Sequence, residues 1–230
     1  MRQIVLDTET TGLDPKQGHK IIEIGCVEMV NRRLTGNNYH QYLQPDREID
    51  EGAQAVHGIS NELLADKPRF SDVEKDFIDY IDGAELIIHN APFDVGFLDH
   101  ELKIVGPEFG KVGNYCEVID TLVIARKLRP GKKKNLDVLC KEYEVNNSHR
   151  ELHGALLDSE LLAEVYLHMT GGQSALSLEN EENSDSAGMQ IQAKTLSADR
   201  KPLKVVTANE QEQAAHKAII DKMGEAGLWR

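Results

Sequence analysis

Asp7 and Glu9 stand one residue apart at the end of the apolar run Ile4, Val5 and Leu6. Residues two apart on a strand point to the same face, so the two carboxylates would share one. Like charges a few ångströms apart repel, and one takes up a proton unless a cation comes between them. Hard oxygen ligands with no thiolate nearby suit magnesium or manganese. The competing reading is a strand end running into an acidic turn at Thr10, Thr11 and Gly12. This stretch alone does not separate the two.

Further acids tilt the balance. Asp94 follows Asn90, which can cap a helix, and Pro92, which suits a first helical turn. An aspartate there also suits the helix dipole. Phe97 and Leu98 lie three and four residues on, so Asp94 is buried if their side of the helix is. Asp158 lies on the stripe Leu161, Leu162, Val165 and Met169. A carboxylate on a core-facing stripe is costly unless paired or bound to metal, and the stripe holds no lysine or arginine. His153 comes five residues before Asp158, a net rotation of about 140° on an ideal helix, so the two do not share a face. The spacing puts His153 in the preceding loop or first turn, leaning over the site. Histidine is the side chain best suited to take a proton near neutral pH.

The elements that would position these groups are legible as patterns. Strands at 3–8, 20–30 and 37–45, joined by short turns, predict an antiparallel meander. A helix at 71–82 with Ser71 as N-cap is followed by alternation: strand 84–90, helix 92–105, strand 116–120, helices 121–129 and 135–143, helix 153–169. That order predicts an α/β fold, a mixed sheet of three antiparallel strands plus parallel strands with flanking helices.

After Met169 the chain turns rich in Gly, Ser, Asn and Glu. We divide it into a domain at 1–170, a flexible linker at 171–204 and a C-terminal tail at 205–230. In the tail a helical pattern returns at 208–223, with Thr207 and Glu210 as a capping box and Gly224 as a stop. Trp229, the only tryptophan, is a candidate partner anchor.

With 230 residues and 40% hydrophobic content, the chain can bury one sizeable core. A net charge of -13 argues against a wide basic nucleic-acid surface, but not against an enzyme that meets phosphate through metal ions. The basic segment 125–135 is either a solvated loop or a landing strip for DNA backbone through Lys132, Lys133 and Lys134. Cys26, Cys116 and Cys140 show neither a disulfide framework nor zinc spacing, which fits a reducing cytosol. No 18-residue apolar run and no signal-peptide pattern is present, so neither a membrane nor secretion is expected.

"DTE" at 7–9, "NAPFD" at 90–94 and "HGALLD" at 153–158 resemble the three motifs of the DEDD exonucleases, in the histidine-bearing DEDDh form. Together with "GHKIIEIG", "VNRRLTGNN", "VHGI" and "LAEVYL", they resemble the proofreading subunits of bacterial replicases over essentially the whole chain. That resemblance implies a ribonuclease H-like fold, two divalent cations (Mg2+ or Mn2+), and hydrolysis of single-stranded DNA from its 3′ end to 5′-mononucleotides. Asp7, Glu9 and Asp158 would hold metal, Asp94 would complete the set through water, and His153 would be the general base. Thr10, Thr11, Gly12 and His57 would lie against the terminal nucleotide, as would Asp7, Glu9 and Asp158. The family carries a glutamate just before "VHGI" where this chain has Gly52 beside Glu51, so no contact is assigned there.

The resemblance also implies partners: the alpha subunit of DNA polymerase III through the tail, and a sliding clamp through Gln173, Leu176 and Leu178 within 173–178. It leaves room for a small theta-like subunit, and it places the chain at the nucleoid-associated replisome in the bacterial cytosol. A stand-alone nuclease acting on RNA ends would share the acids and the histidine without needing the tail. A non-catalytic binding module would not need the full set of acids.

Overall fold

Strand β1 (Arg2–Thr10) is the axis of the sheet because its apolar residues face both ways. Ile4 and Leu6 enter one core, and Val5 enters the other. The computed structural model describes residues 1–150, 152–171 and 208–223. The chain divides into two units, Met1–Leu176 and Ser177–Arg230, and each is described by itself.

In the first unit, β1 pairs antiparallel with β2 (Ile21–Val30), which pairs antiparallel with both β3 (Arg33–Leu34) and β4 (Tyr39–Tyr42). On its other side β1 pairs parallel with β5 (Glu85–Ile88), and β5 pairs parallel with β6 (Glu117–Asp120). This is the expected mixed sheet. Helix α3 (Phe70–Ile81) and α4 (Pro92–Val105) cover one face, with Phe77, Ile81, Phe97 and Leu98 in the core. Helices α5 (Thr121–Leu128), α6 (Leu136–Glu142) and α7 (Ala155–Thr170) cover the other, with Ala125, Leu139, Leu161, Leu162 and Val165. Burying each large apolar side chain contributes about 1.5–3 kcal/mol, enough for the α7 stripe to carry one carboxylate inward.

Several boundaries depart from the pattern reading. Helix α3 begins at Phe70, not after Ser71; the Arg69 N–H donates to Asp72 Oδ2 (2.8 Å) and starts it there. The third strand is only Tyr39–Tyr42. Between it and α3 lie two short helices that the sequence pattern did not reveal, α1 (Glu51–His57) and α2 (Asn61–Leu64). They close a small third core around Ile22, Ile49, Ile59 and Leu64.

Helix α7 is pressed onto β2 at Gly25. A Cβ there would come within 2.2 Å of the backbone at Ala155 and Leu156. Ser159 Oγ donates to the Gly25 carbonyl (2.8 Å), and Ala155 N–H donates to Glu23 Oε2 (3.1 Å). Gly25→Ala is therefore expected to lower stability by about 1–3 kcal/mol and push α7 outward. Urea unfolding measures the first effect; an unchanged midpoint would show that the contact is slack.

The second unit contributes α8 (Glu210–Met223). Its capping box is Asn209 with Glu212: Asn209 N–H donates to Glu212 Oε2 and Glu212 N–H to Asn209 Oδ1, both at 2.9 Å. This lies two residues after the expected Thr207–Glu210 box. Thr207, Gly224, Trp229 and the whole of 173–178 lie outside the described residues.

Candidate active site

The acids meet at the carboxyl ends of β1 and β5. Asp7 and Glu9 lie on the α7-facing side of β1, where a register shift between Glu9 and Thr10 breaks the ladder with β2. Asp94 sits in the first turn of α4 and is buried, as are Phe97 and Leu98. Its Oδ1 accepts from both the N–H (3.1 Å) and the hydroxyl (2.7 Å) of Thr8, the residue between the two strand acids. The turn into α4 uses a left-handed Asn90 (φ 65°), with Ala91 at the N-cap, so Asn90 bends the chain but does not cap the helix. Asp158 is buried in the first turn of α7. His153 lies in the loop before α7, half-exposed, its N–H donating to the Val56 carbonyl (3.2 Å).

Crowding and burial set the protonation. Burial, then Asp94, Glu9 and Asp158, hold Asp7 well above the ordinary carboxylate range. Glu9 is pushed up to about 8 by burial, then by Asp158 and Glu23. Burial pushes Asp94 up to about 7, although the Thr8 hydrogen bonds pull it down. The folded protein thus keeps protons that the unfolded chain releases at ordinary carboxylate pKa values. Stability of the metal-free protein should therefore fall as pH rises from about 5 to about 8. A divalent cation should lift the melting temperature most at the alkaline end, and its binding at pH 7 should release protons. Melting curves across that window, with and without metal, check both; a flat metal-free profile would contradict the shifts.

The donor set fits a hard divalent cation. Donor atoms of Glu9, His153 and Asp158 lie within 4.8 Å of one another. This grouping holds His153 and two of the three expected ligands; Asp7 lies outside it, lining the same cavity. The site also attracts a cation from the chain itself. Asp158, expected to be unneutralised because its helix stripe lacks lysine and arginine, is paired with Arg150 from the preceding loop. Nε donates to Oδ1 and Nη2 to Oδ2, both at 2.6 Å. A search by helical period could not find this partner, since Arg150 is not on the helix.

The nucleotide-facing residues divide. A cavity of about 750 Å³ holds the acids, His153 and Arg150. A second, of about 520 Å³, joins it at Thr8, Glu9 and Phe93 and is lined by Thr10, Gly12, Leu13, Val56 and His57. Thr10 and His57 are buried, and the Thr10 hydroxyl donates to the Gly12 carbonyl (2.6 Å). Burial lowers the pKa of His57, and its Nδ1 accepts from the Ile59 N–H, so the ring is held neutral. Thr11 is turned away: its hydroxyl accepts from the Lys20 N–H and meets His19 Nδ1, inside the turn. Gly12 is required because a Cβ would strike the His19 ring at 2.2 Å. Gly52 also lines this cavity, with open space where a side chain would stand.

The basic segment is part of the cleft. Arg126, Lys132 and Lys134 line the larger cavity, and Lys134 is buried with its ammonium on the Lys132 carbonyl. Lys132 is paired with Glu142, and Lys133 is exposed.

Buried carboxylates with a histidine beside them, at the strand ends of a mixed sheet, suit a metal-dependent nuclease. Residues 4–166 match the family model RNase_T, described as exonuclease. The chain is 53% identical to DNA polymerase III subunit epsilon of Salmonella typhimurium (strain LT2) and of Escherichia coli (strain K12), each alignment covering 100% of this chain and 97% of the relative. It is 30% identical to a solved exonuclease X in complex with 5′ overhanging duplex DNA, with TM-score 0.58 over 74% of this chain and 91% of that one. The nuclease domain of 3′hExo, a DEDDh family member bound to rAMP, shares the fold at 19% identity and TM-score 0.59 over 73% of this chain and 90% of that one. The chain belongs to the DEDDh 3′–5′ exonuclease family, and within it resembles the epsilon subunits. It is a hydrolase of phosphodiester bonds. No helix among the described residues is long and apolar enough to cross a membrane.

Proposed function

We propose that this 3′–5′ exonuclease proofreads for the replicative DNA polymerase, removing mispaired 3′-terminal nucleotides from single-stranded primer ends. The observation that carries the reading is the convergence of Asp7, Glu9, Asp94, Asp158 and His153 in one cleft, in a chain that matches epsilon subunits along its full length.

Asp7, Glu9 and Asp158 would hold two divalent cations, Mg2+ or Mn2+, whose charge stabilises the phosphoryl transition state and acidifies the attacking water. Asp94, fixed by Thr8, keeps the cluster acidic and anchors β1 to α4. His153 takes the proton of the water; in the metal-free protein its ring is placed by Arg150 Nη2, 2.9 Å from Nδ1 and 3.3 Å from Nε2. The cavity at Thr10, Gly12 and His57 receives the terminal nucleotide, and Arg126 and Lys134 offer positive charge to the backbone of the strand behind it.

The tail at 205–230 binds the polymerase alpha subunit, and Gln173, Leu176 and Leu178 engage the sliding clamp. On 5′-labelled single-stranded DNA the purified protein should give a ladder shortening from the 3′ end, faster than on RNA. Removal of 205–230 should abolish alpha binding and spare that ladder. Retained binding would dismiss the tail assignment, and a preference for RNA ends would dismiss the proofreading one.

A further inference from the structure

Arg150 is a buried cation in the middle of the catalytic acids, its side chain only 6% exposed. Its fork is fully engaged. Nε and Nη2 hold the two oxygens of Asp158, Nη2 also reaches His153 Nδ1 (2.9 Å), and Nη1 holds Asp137 Oδ1 (2.6 Å). Asp158 and His153 are, with Glu9, the groups whose donor atoms lie close enough to share an ion. A carboxylate whose charge is already shared with a bidentate guanidinium attracts a dication less, and two unscreened positive charges beside each other in a buried site repel strongly. Asp137, half-exposed at the start of α6, gives the guanidinium somewhere to remain once Asp158 is released.

We propose that Arg150 is an internal counter-cation: in the metal-free enzyme it locks Asp158 and His153 in place, and a divalent ion displaces it onto Asp137. This rests on reading the acidic centre as a metal site. The lock keeps four crowded carboxylates assembled before metal arrives, and it weakens apparent metal affinity by the factor with which it populates the closed state. Lysine could not substitute, because a point-charge ammonium cannot engage both oxygens of Asp158 while reaching Asp137.

The test is calorimetric titration of the full chain with Mn2+, for wild type, Arg150→Gln and Arg150→Lys. Arg150→Gln should bind tenfold or more tightly than wild type, with Arg150→Lys between them. Since Arg150→Gln could unfold without metal, a second measurement uses the wild type itself. The Arg150 Nε–H resonance, assigned by its loss in Arg150→Lys, should be shifted and slow to exchange in EDTA. At saturating Mg2+ it should shift and exchange faster, since Nε loses Asp158 while Nη1 stays on Asp137. Equal or weaker Mn2+ binding by Arg150→Gln, or a resonance unmoved by saturating Mg2+, would overturn the lock while leaving the metal site standing. A wild type that binds neither ion would overturn both.

Discussion

Asp7→Asn is expected to lower exonuclease turnover by at least about a thousandfold while leaving the metal-free protein as stable as wild type, or more so. The two effects have one origin. Asp7 is held far above its ordinary pKa by burial and by Asp94, Glu9 and Asp158, so its charged form is a liability to the fold. An uncharged isostere relieves that repulsion. The same crowding draws in a divalent cation, and a bound metal supplies several kcal/mol of transition-state stabilisation, at about 1.4 kcal/mol per factor of ten. Asp158→Asn should be equally inactive, but it should lose stability, because it strips Arg150 of its buried partner. Turnover near wild type in either protein, purified free of other nucleases, would sink the ligand assignment. A lowered melting point for Asp7→Asn would show that its environment is not repulsive.

His153→Ala should cost about 10²–10⁴ in the chemical step, the usual worth of a positioned base. The ring is half-exposed in a loop, so stability should change by no more than about 0.5 kcal/mol. DNA binding should survive, since the nucleotide cavity is lined by Thr10, Gly12, Leu13, Val56 and His57. The loss should shrink as pH rises, because hydroxide needs no base. Single-turnover rates settle the point: an unchanged rate would rule out proton transfer through His153.

Much of this site could be read from the chain because the acids obey local periods. Asp7 and Glu9 share a face through the two-residue repeat of a strand, and Asp94 is buried because Phe97 and Leu98 are. The alternation of strands and helices likewise carried the mixed sheet. What escaped depends on contacts between distant segments. Glu23 stands opposite Glu9 in the β1–β2 register and accepts from the first turn of α7, yet nothing near residue 23 announces that role. Thr8, between the two strand acids, is the anchor of Asp94, a contact that strand periodicity does not reveal. Arg150 was visible three residues before His153, but a loop has no period to say which way its side chain turns. Helices α1 and α2 are short, and their few apolar residues are buried by Ile22 and Ile49 instead of by a repeat of their own. The Thr11 hydroxyl braces the turn through Lys20 and His19, contacts that no local period announces.

The basic segment shows how burial changes a charge argument. Of three adjacent lysines, Lys134 is inside the cleft wall and Lys132 is held by Glu142, so Lys133 alone has the freedom of a solvated loop residue. Sequence could count the charges but not sort them.

The central claim is that the acidic centre is a metal-dependent device for trimming 3′ ends. The most direct measurement is digestion of a primer–template with a mispaired 3′ terminus by the purified chain, alone and with the polymerase, in Mg2+ and in EDTA. Deoxynucleoside 5′-monophosphates should be released from the 3′ end in Mg2+ only, faster from the mispaired than from the paired terminus, and not at all by Asp7→Asn. Release that persists in EDTA, or that starts from the 5′ end, would contradict it.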